Sequence, residues 1–305
     1  MLRLWAILQD EAITDDRAYL LGYLKSAFDD VMTTRAARTA DAAPPPSRRP
    51  DVVLNLVSSR SRALLADIDA KAAAYGAAVS SPSQGAWRTE DKRTYLEDFP
   101  DVSPPTVVAK DFEAVRAAWA AFGGDVVVKD AFGDRGRGVE RISTEDELSK
   151  AEAVREAAAG ETRDLIVQPY LSGFSRGDKR VVLQRTPDDD FKIIAAIERR
   201  PPPGGWKSNL RAGGQAFRTD LTDEEAAFAL ALAPRAGIDK VGLDIATHDD
   251  RLYYLEHIQG YGGIVDYDLD RGVTGVALCA AFLRHLAEHG RPKAARPGGP
   301  SVLGA

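Results

Sequence analysis

Residues 241–258 read VGLDIATHDDRLYYLEHI. Two runs rich in aliphatic and aromatic residues flank the polar THDD, the pattern of an antiparallel hairpin. Alternation with period two puts Asp244 on the face opposite Leu243 and Ile245, and a turn centred near Asp250 sets Glu256 across the ladder from Asp244. Two carboxylates then share one face. Like charges so placed repel unless a cation lies between them, and hard oxygen donors completed by water and phosphate suit Mg²⁺. Two solvated strand acids are the other reading of the pair.

Working outward, the hairpin follows a run of strands, DLIVQPYL, KRVVLQ and FKIIAAIE, and a basic, polar loop series. Asp178, Lys179 and Arg180 open the second of these strands, Arg199 and Arg200 close the third, and KSNLRAGGQ brings Lys207, Ser208, Asn209, Arg211, Gly213 and Gly214. Guanidinium forks fit carboxylates and phosphates, and a Gly-Gly pair exposes amides to an anion. A solvated basic surface would have the same composition. Trp206, beside Lys207, suits contact with something flat or apolar, or a packing anchor.

Further upstream, the helix DFEAVRAAWAAFG stops at Gly123 and Gly124, and the strand DVVVKDA follows. Lys129 ends its apolar run, and Gly133, Gly136 and Gly138 punctuate the loop before the strand VERI. Glycines let backbone amides approach phosphate oxygens and the lysine adds a point charge, which suits a flap over a triphosphate. The spacing is neither the P-loop nor the dinucleotide fingerprint, and a plain glycine turn reads the same way. The segment 80–108, rich in Ser, Gly and Pro, reads as a boundary between subdomains.

Residues 1 to about 85 alternate strand and helix (LRLWAIL, DDRAYLLGYLKSAFDD, DVVLNLVS, SRALLADIDAKAAAYG), an order that predicts a small, mostly parallel sheet. No phosphate fingerprint follows the first strand, which argues against a nucleotide site there. At the other end, TGVALCAAFLRHLAEHG places Val276, Cys279, Ala280, Leu283 and Leu286 on one helical stripe, and residues 291–305 lack a hydrophobic period and read as a disordered tail.

The 305 residues suffice for a core divided among subdomains, with one cysteine, Cys279, and hence no internal disulfide. A formal net charge of −6 with the signs interleaved argues against a grip on nucleic acid phosphates. The N-terminal apolar run is too short for a secretory core and no later run approaches the ~20 residues of a membrane span, so the expectation is a soluble cytoplasmic protein. His248, His257, His285 and His289 form no zinc spacing. Neither a Ser-His-Asp arrangement nor a dinucleotide loop is present to support a hydrolase or an oxidoreductase.

GDKRVV, PPPGGWKSNLRAGGQ and VGLDIA occur in the order, and at close to the spacing, of the bacterial glutathione synthetases. The chain resembles that family and, more loosely, the RimK-type ligases of the ATP-grasp superfamily, from about Leu64 to Leu286 and most densely from Leu165. The resemblance implies an α/β (α+β) ATP-grasp fold: an N-terminal open α/β domain over 1–90, a central flap-bearing subdomain over 91–168, a C-terminal mixed-sheet subdomain over 169–290 and the tail. ATP would lie between the second and third. The implied activity is a carboxylate-amine ligase that forms an amide or peptide bond through an acyl phosphate, with ATP and Mg²⁺ (Mn²⁺ as an alternative) as cofactors. A small or peptide carboxylate donor and an amine acceptor would be its partners, with no nucleic acid and no membrane, and the family's habit is a homo-oligomer.

By the same resemblance Lys92 and Lys129 match the family's two nucleotide lysines, and Gly133, Gly136 and Gly138 its flap. Gln168, Pro169, Tyr170 and Leu171 match the adenine hinge. Arg180 matches the arginine at the transferring phosphoryl, with Asn209, Gly213 and Gly214 around the reacting carboxylate. Arg199, Lys207, Ser208 and Arg211 fall on the substrate side. Asp244 and Glu256 match the metal ligands. The family usually places Asn two positions after the glutamate, where this chain has Ile258. Isoleucine cannot coordinate a metal, so Gln259 is the candidate for a displaced oxygen ligand, reached if a bulge breaks the alternation. The departure sustains a second reading, a nucleotide-binding regulatory or scaffold protein on a decayed enzyme fold.

Overall fold

The computed structural model describes residues 1–9, 15–37, 40–57, 61–133, 136–158, 162–260 and 269–291. All of the expected C-terminal tail but Arg291 lies outside them. Among the described residues the strands form three sheets.

The first sheet is parallel, in the order β2-β1-β3-β4, with β1 Arg3–Gln9, β2 Asp30–Ala36, β3 Val52–Asn55 and β4 Ala78–Ser80. Helices Asp15–Ala27 and Arg62–Tyr75 cross between strands, and Ser61 caps the second through its side chain while Gly76 closes it in the left-handed conformation. The first helix stops at Ala27, short of the reading to Asp30, because Asp30 already starts β2.

The second sheet is antiparallel, in the order β5-β8-β6-β7, with β5 Val107–Ala109, β6 Val126–Asp130, β7 Val139–Ile142 and β8 Leu165–Pro169. Helices Phe112–Ala121 and Ser149–Ala157 cover one face, burying Val115, Ala118 and Val154 against Val126, Val128 and Val167. Strand alternation therefore turns Val127, Lys129 and Gln168 to the uncovered face.

The third sheet is antiparallel, in the order β11-β10-β9-β12-β13, with β9 Asp178–Arg185, β10 Phe191–Arg200, β11 Gln215–Thr219, β12 Lys240–His248 and β13 Arg251–Gln259. On one face Val181, Leu243 and Ile245 pack with Tyr95, Phe99 and Leu232. Phe99 stacks on Tyr254 at 4.0 Å between ring centroids, so residues 95–99, assigned from sequence to the central span, are packed on the C-terminal sheet. The other face shares a core with the first sheet: Val182 and Ile197 lie in one apolar cluster with Leu4, Ala6 and Leu54. Between them runs the helix Leu269–His289, whose Val276, Cys279, Ala280, Leu283 and Leu286 are all buried in that cluster, as the stripe predicts. Buried Asp239 adds a polar tie, accepting from Ser81 N at 2.8 Å, Arg185 Nε at 3.0 Å and Arg291 Nη2 at 2.7 Å. No helix among the described residues is long and apolar enough to cross a membrane.

Candidate functional site

The uncovered face of the central sheet and the C-terminal sheet, with the loop that follows β10, bound a cavity of about 130 Å³. Lys92, Val127, Lys129, Gly133, Gly136, Gln168, Pro169, Tyr170 and Leu171 line it from the central side. From the other side come Asp178, Arg199, Trp206, Lys207, Ser208, Asn209, Asp244, Leu255 and Glu256. Residues far apart in the chain and singled out for one chemistry thus meet at one place.

On the central side Lys92 and Lys129 make no ion pair with a carboxylate among the described residues. Lys129 donates to Gln168 Oε1 at 2.8 Å, and Gln168 is fixed in turn by donating to Thr106 Oγ1 at 2.8 Å. Burial pushes the Lys129 ammonium down to about 8, and Lys92 nearby pushes the same way, while Glu256 and Asp178 oppose. Lys92 donates to the carbonyl of Gly133, tying the base of the flap to the turn that carries the lysine. Tyr170 donates its backbone N–H to Asp125 O at 2.9 Å, and its ring lies under the Arg141 guanidinium at 3.5 Å and edge-on to Trp206. Arg141 is held there by a bidentate pair with Asp125 at 2.8 and 2.6 Å.

On the C-terminal side Asp244 and Glu256 stand directly opposite each other in the ladder, as the hairpin reading requires. Asp249 and Asp250 make the turn, both at positive φ (48° and 57°). The register then shifts between Asp244 and Ile245, so Leu255 is the extra residue of a bulge, and both Leu255 and Glu256 reach the cavity wall. Asp244 is 1% exposed, and its oxygens accept from Arg180 Nε at 2.7 Å, Arg180 Nη2 at 2.8 Å and Arg199 Nη2 at 2.6 Å. Burial alone would raise its pKa; the two guanidiniums outweigh that and hold it at about 2. Arg199 makes a second, bidentate pair with Asp178, 2.7 Å at each oxygen, and Ser208 donates to Asp178 at 2.8 Å. Burial raises the Asp178 carboxyl, with Asp244 adding to the rise and Arg199 opposing it. Gly177 is required where the chain enters β9: it has φ +115° and a Cβ would lie 2.1 Å from the carbonyl oxygen of Arg199.

The two sides also touch across the mouth. Gly136, at φ +78°, leaves room for Asn209, whose Oδ1 a Cβ would approach to 2.9 Å, and Lys207 Nζ lies 3.3 Å from Glu140 Oε1.

Several sequence assignments fall elsewhere. Gly138 is the turn of the flap hairpin, its carbonyl accepting from Asp130 N at 2.8 Å, and it does not line the cavity. Arg211 and Gly213 are exposed and outside the wall. Gly214 acts on the loop instead: a Cβ there would meet the Ser208 carbonyl oxygen at 2.2 Å. Arg180 lies behind Asp244 instead of on the wall. Gln259 faces away: its Nε2 donates to Asn55 O at the end of β3. The bulge precedes Glu256, so alternation is intact from Glu256 onward, Ile258 lies against Gly242, and Gln259 is on the opposite face. His257, also turned away, sits against Tyr254 Oη at 2.5 Å, with burial pushing it down to about 3. The sequence reading missed the role of Asp178, although it lies two positions from Arg180 on the same strand and so shares its face.

Among the described residues no group of three or more His, Cys, Asp and Glu is arranged for a metal ion. The pair fits one completed by non-protein oxygens: Glu256 lines the cavity, its side chain makes no hydrogen bond or ion pair among the described residues, and it stands opposite the ionised Asp244.

The family model described as prokaryotic glutathione synthetase, ATP-grasp domain, matches residues 92–253. The glutathione synthetase of Mesorhizobium japonicum is 30% identical over 164 residues, 52% of this chain and 50% of that protein. A probable alpha-L-glutamate ligase of Serratia proteamaculans is 30% identical over 172 residues, 56% of this chain and 53% of that protein. The chain spans about half the length of the curated relatives it matches. In fold it is similar to a RimK domain protein ATP-grasp from Sphaerobacter thermophilus, with a TM-score of 0.66 at 20% identity, covering 92% of this chain and 99% of that one. With more than half of its residues matched, including the cavity lysines Lys92, Lys129 and Lys207 and Asp244, the chain belongs to the prokaryotic glutathione synthetase ATP-grasp family.

Proposed function

We propose that the protein is an ATP-dependent carboxylate-amine ligase that joins a carboxylate to an amine through an acyl phosphate. One observation carries the reading. Lys92 and Lys129, which make no ion pair with a carboxylate among the described residues, and two facing carboxylates, Asp244 and Glu256, line a single cavity from opposite walls. That is the charge arrangement a nucleotide triphosphate needs.

In this reading Lys92 and Lys129 offset the phosphate charge, and the backbone from Pro169 to Leu171, with Val127, Val139 and Leu255, forms the apolar slot for the base. Asp244 and Glu256 would hold a divalent cation, Mg²⁺ or Mn²⁺, which supplies charge neutralisation between phosphate oxygens when bound. Arg199 holds the transferring phosphoryl and the acyl phosphate from the cavity wall, and Arg180 joins it from behind Asp244. Asn209 and Ser208 flank the reacting carboxylate, and the contacts of Gly136 and Lys207 across the mouth exclude water from an intermediate that hydrolysis would waste. Catalysis is then positioning and electrostatics, with no covalent step on the protein. In this reading the mouth closes over bound ATP.

The test is ADP release by the purified protein with Mg·ATP against panels of amino acids and short peptides as donors, each paired with amines. Release that requires both a donor and an amine supports the ligase. ATP binding without release for any pair favours a nucleotide-binding regulatory protein instead, the reading that Ile258 in the metal face sustains. Absence of ATP binding removes both.

A further inference from the structure

Two arginines reach Asp244, and they are not held alike. Arg180 makes its bidentate pair with Asp244, at 2.7 and 2.8 Å, and no other carboxylate is within ion-pair distance of it among the described residues. Arg199 gives Asp244 a single N–H at 2.6 Å and spends its fork on Asp178, at 2.7 and 2.7 Å. Together Asp178, Arg199, Asp244 and Arg180 make an alternating row in which the Asp244 oxygens accept three N–H groups. A carboxylate so occupied cannot bind a metal without giving some of them up, whereas the Glu256 side chain, opposite, makes no hydrogen bond or ion pair among the described residues.

We propose that Asp178 is the positioning residue that keeps Arg199 on the cavity wall when Asp244 exchanges the Arg180 guanidinium for a divalent cation. The inference rests on the ligase reading of the same site and assigns its two arginines different behaviour. Arg180 is the placeholder cation: it neutralises buried Asp244 before metal arrives and is released as a free fork afterwards. Arg199 stays, because the exchange costs it one hydrogen bond of three and leaves the Asp178 pair whole. Ser208, which donates to the same Asp178, is thereby kept in register with Arg199.

The test is Mn²⁺ binding to the full chain in the presence of ADP, read from the free-ion electron paramagnetic resonance signal and so independent of turnover. Arg180→Gln is expected to bind Mn²⁺ several-fold more tightly than wild type, since it removes the competitor; Arg180→Lys, which keeps a charge near Asp244 and supports folding, is expected to fall between. Asp178→Asn should bind Mn²⁺ several-fold more weakly, because Arg199, without its anchor, turns its fork on Asp244, and Asp178→Glu should restore binding. Circular dichroism melts establish which variants are folded, and Arg180→Lys and Asp178→Glu carry the test if the others are not. Wild-type binding that neither Arg180 variant tightens sinks the exchange. Equal binding by Asp178→Asn and wild type sinks the role of Asp178 and leaves the ligase reading standing. A wild-type protein that binds ADP and no Mn²⁺ removes the metal site itself, and with it both.

Discussion

The two walls of the cavity hold their charges in opposite ways. On the central side, Lys129 rests on a neutral amide and Lys92 on a backbone carbonyl, so both ammonium groups are buried or half-buried without a direct ion pair among the described residues. On the C-terminal side, Asp178, Arg199, Asp244 and Arg180 neutralise one another. The first wall is preset for an anion, since the desolvation of its lysines has already been met by the fold and a phosphate only gains from it. The second is preset for stability and has to trade partners before it can act.

The largest effect that would sharpen this contrast is on folding. Asp244→Ala leaves the buried Arg199 and the half-buried Arg180 guanidiniums without their shared acceptor, and breaking a buried pair from one side typically costs about 3–5 kcal/mol. Lys129→Met, by contrast, removes a buried ammonium whose pKa burial depresses, and urea denaturation should show it close to wild type or slightly more stable. Equal losses for the two variants would erase the distinction between the walls. The sign with pH follows from Asp244, whose folded pKa is lowered to about 2 from the usual 3.8. Its contribution is present above the unfolded value and is lost as pH falls from about 4 through about 2.

The same contrast governs what could be read from the sequence. The hairpin carrying Asp244 and Glu256 was legible because period-two alternation and a polar turn are local, and Asp249 and Asp250 turn where the reading put them. The flap lysine was legible for the same reason, at the end of the VVVK run. β2 was not, because it is an edge strand whose Thr33 and Arg35 face solvent and break up the apolar pattern. β11, the edge strand Gln215–Thr219, was missed likewise. Gln259 was placed in the site on the supposition of a bulge after Glu256; the bulge exists, but before it, between Asp244 and Ile245. The pairing of Arg180 with Asp244 depends on β9 and β12 lying side by side, a register of residues 64 apart in the chain that no local pattern encodes.

A second, intermediate effect concerns the anion-ready wall. Lys129 in the free protein loses its proton near pH 8, well below the ordinary 10.5, because burial penalises the ammonium. Triphosphate binding favours the charged form, so above pH 8 each binding event takes up a proton and affinity falls by at most tenfold per pH unit. Calorimetry between pH 7 and 9 in buffers of different ionisation enthalpy measures both. Lys129→Arg should flatten the dependence, and Lys129→Ala at pH 7 should weaken ATP by about 10- to 100-fold, the worth of a charge-assisted hydrogen bond. A wild-type affinity that is constant from pH 7 to 9 would mean that Lys129 does not meet the nucleotide.

The smallest effect belongs to the seam where the two walls touch. Lys207 and Glu140 lie 3.3 Å apart, and the Glu140 side chain is 43% exposed. Solvent screens such a pair, which is worth about 0–1 kcal/mol. Glu140→Gln should therefore leave the melting temperature unchanged and speed ADP dissociation by no more than about fivefold, the ceiling that range sets. Stopped-flow displacement of a fluorescent ADP analogue reads the rate directly, and raising the salt concentration should narrow the difference between variant and wild type, because screening removes the same attraction. Gly136→Ala acts at the same seam through shape: its φ of +78° and the 2.9 Å approach to Asn209 mean that the added methyl strains the closed mouth, independently of salt. A salt-sensitive Glu140 variant beside a salt-insensitive Gly136 variant would show that charge and close backbone packing each hold the two walls together. If both variants dissociate ADP at the wild-type rate, the seam is not what opens and closes over the nucleotide, and the walls are joined through the turn at Lys92 and Gly133 instead.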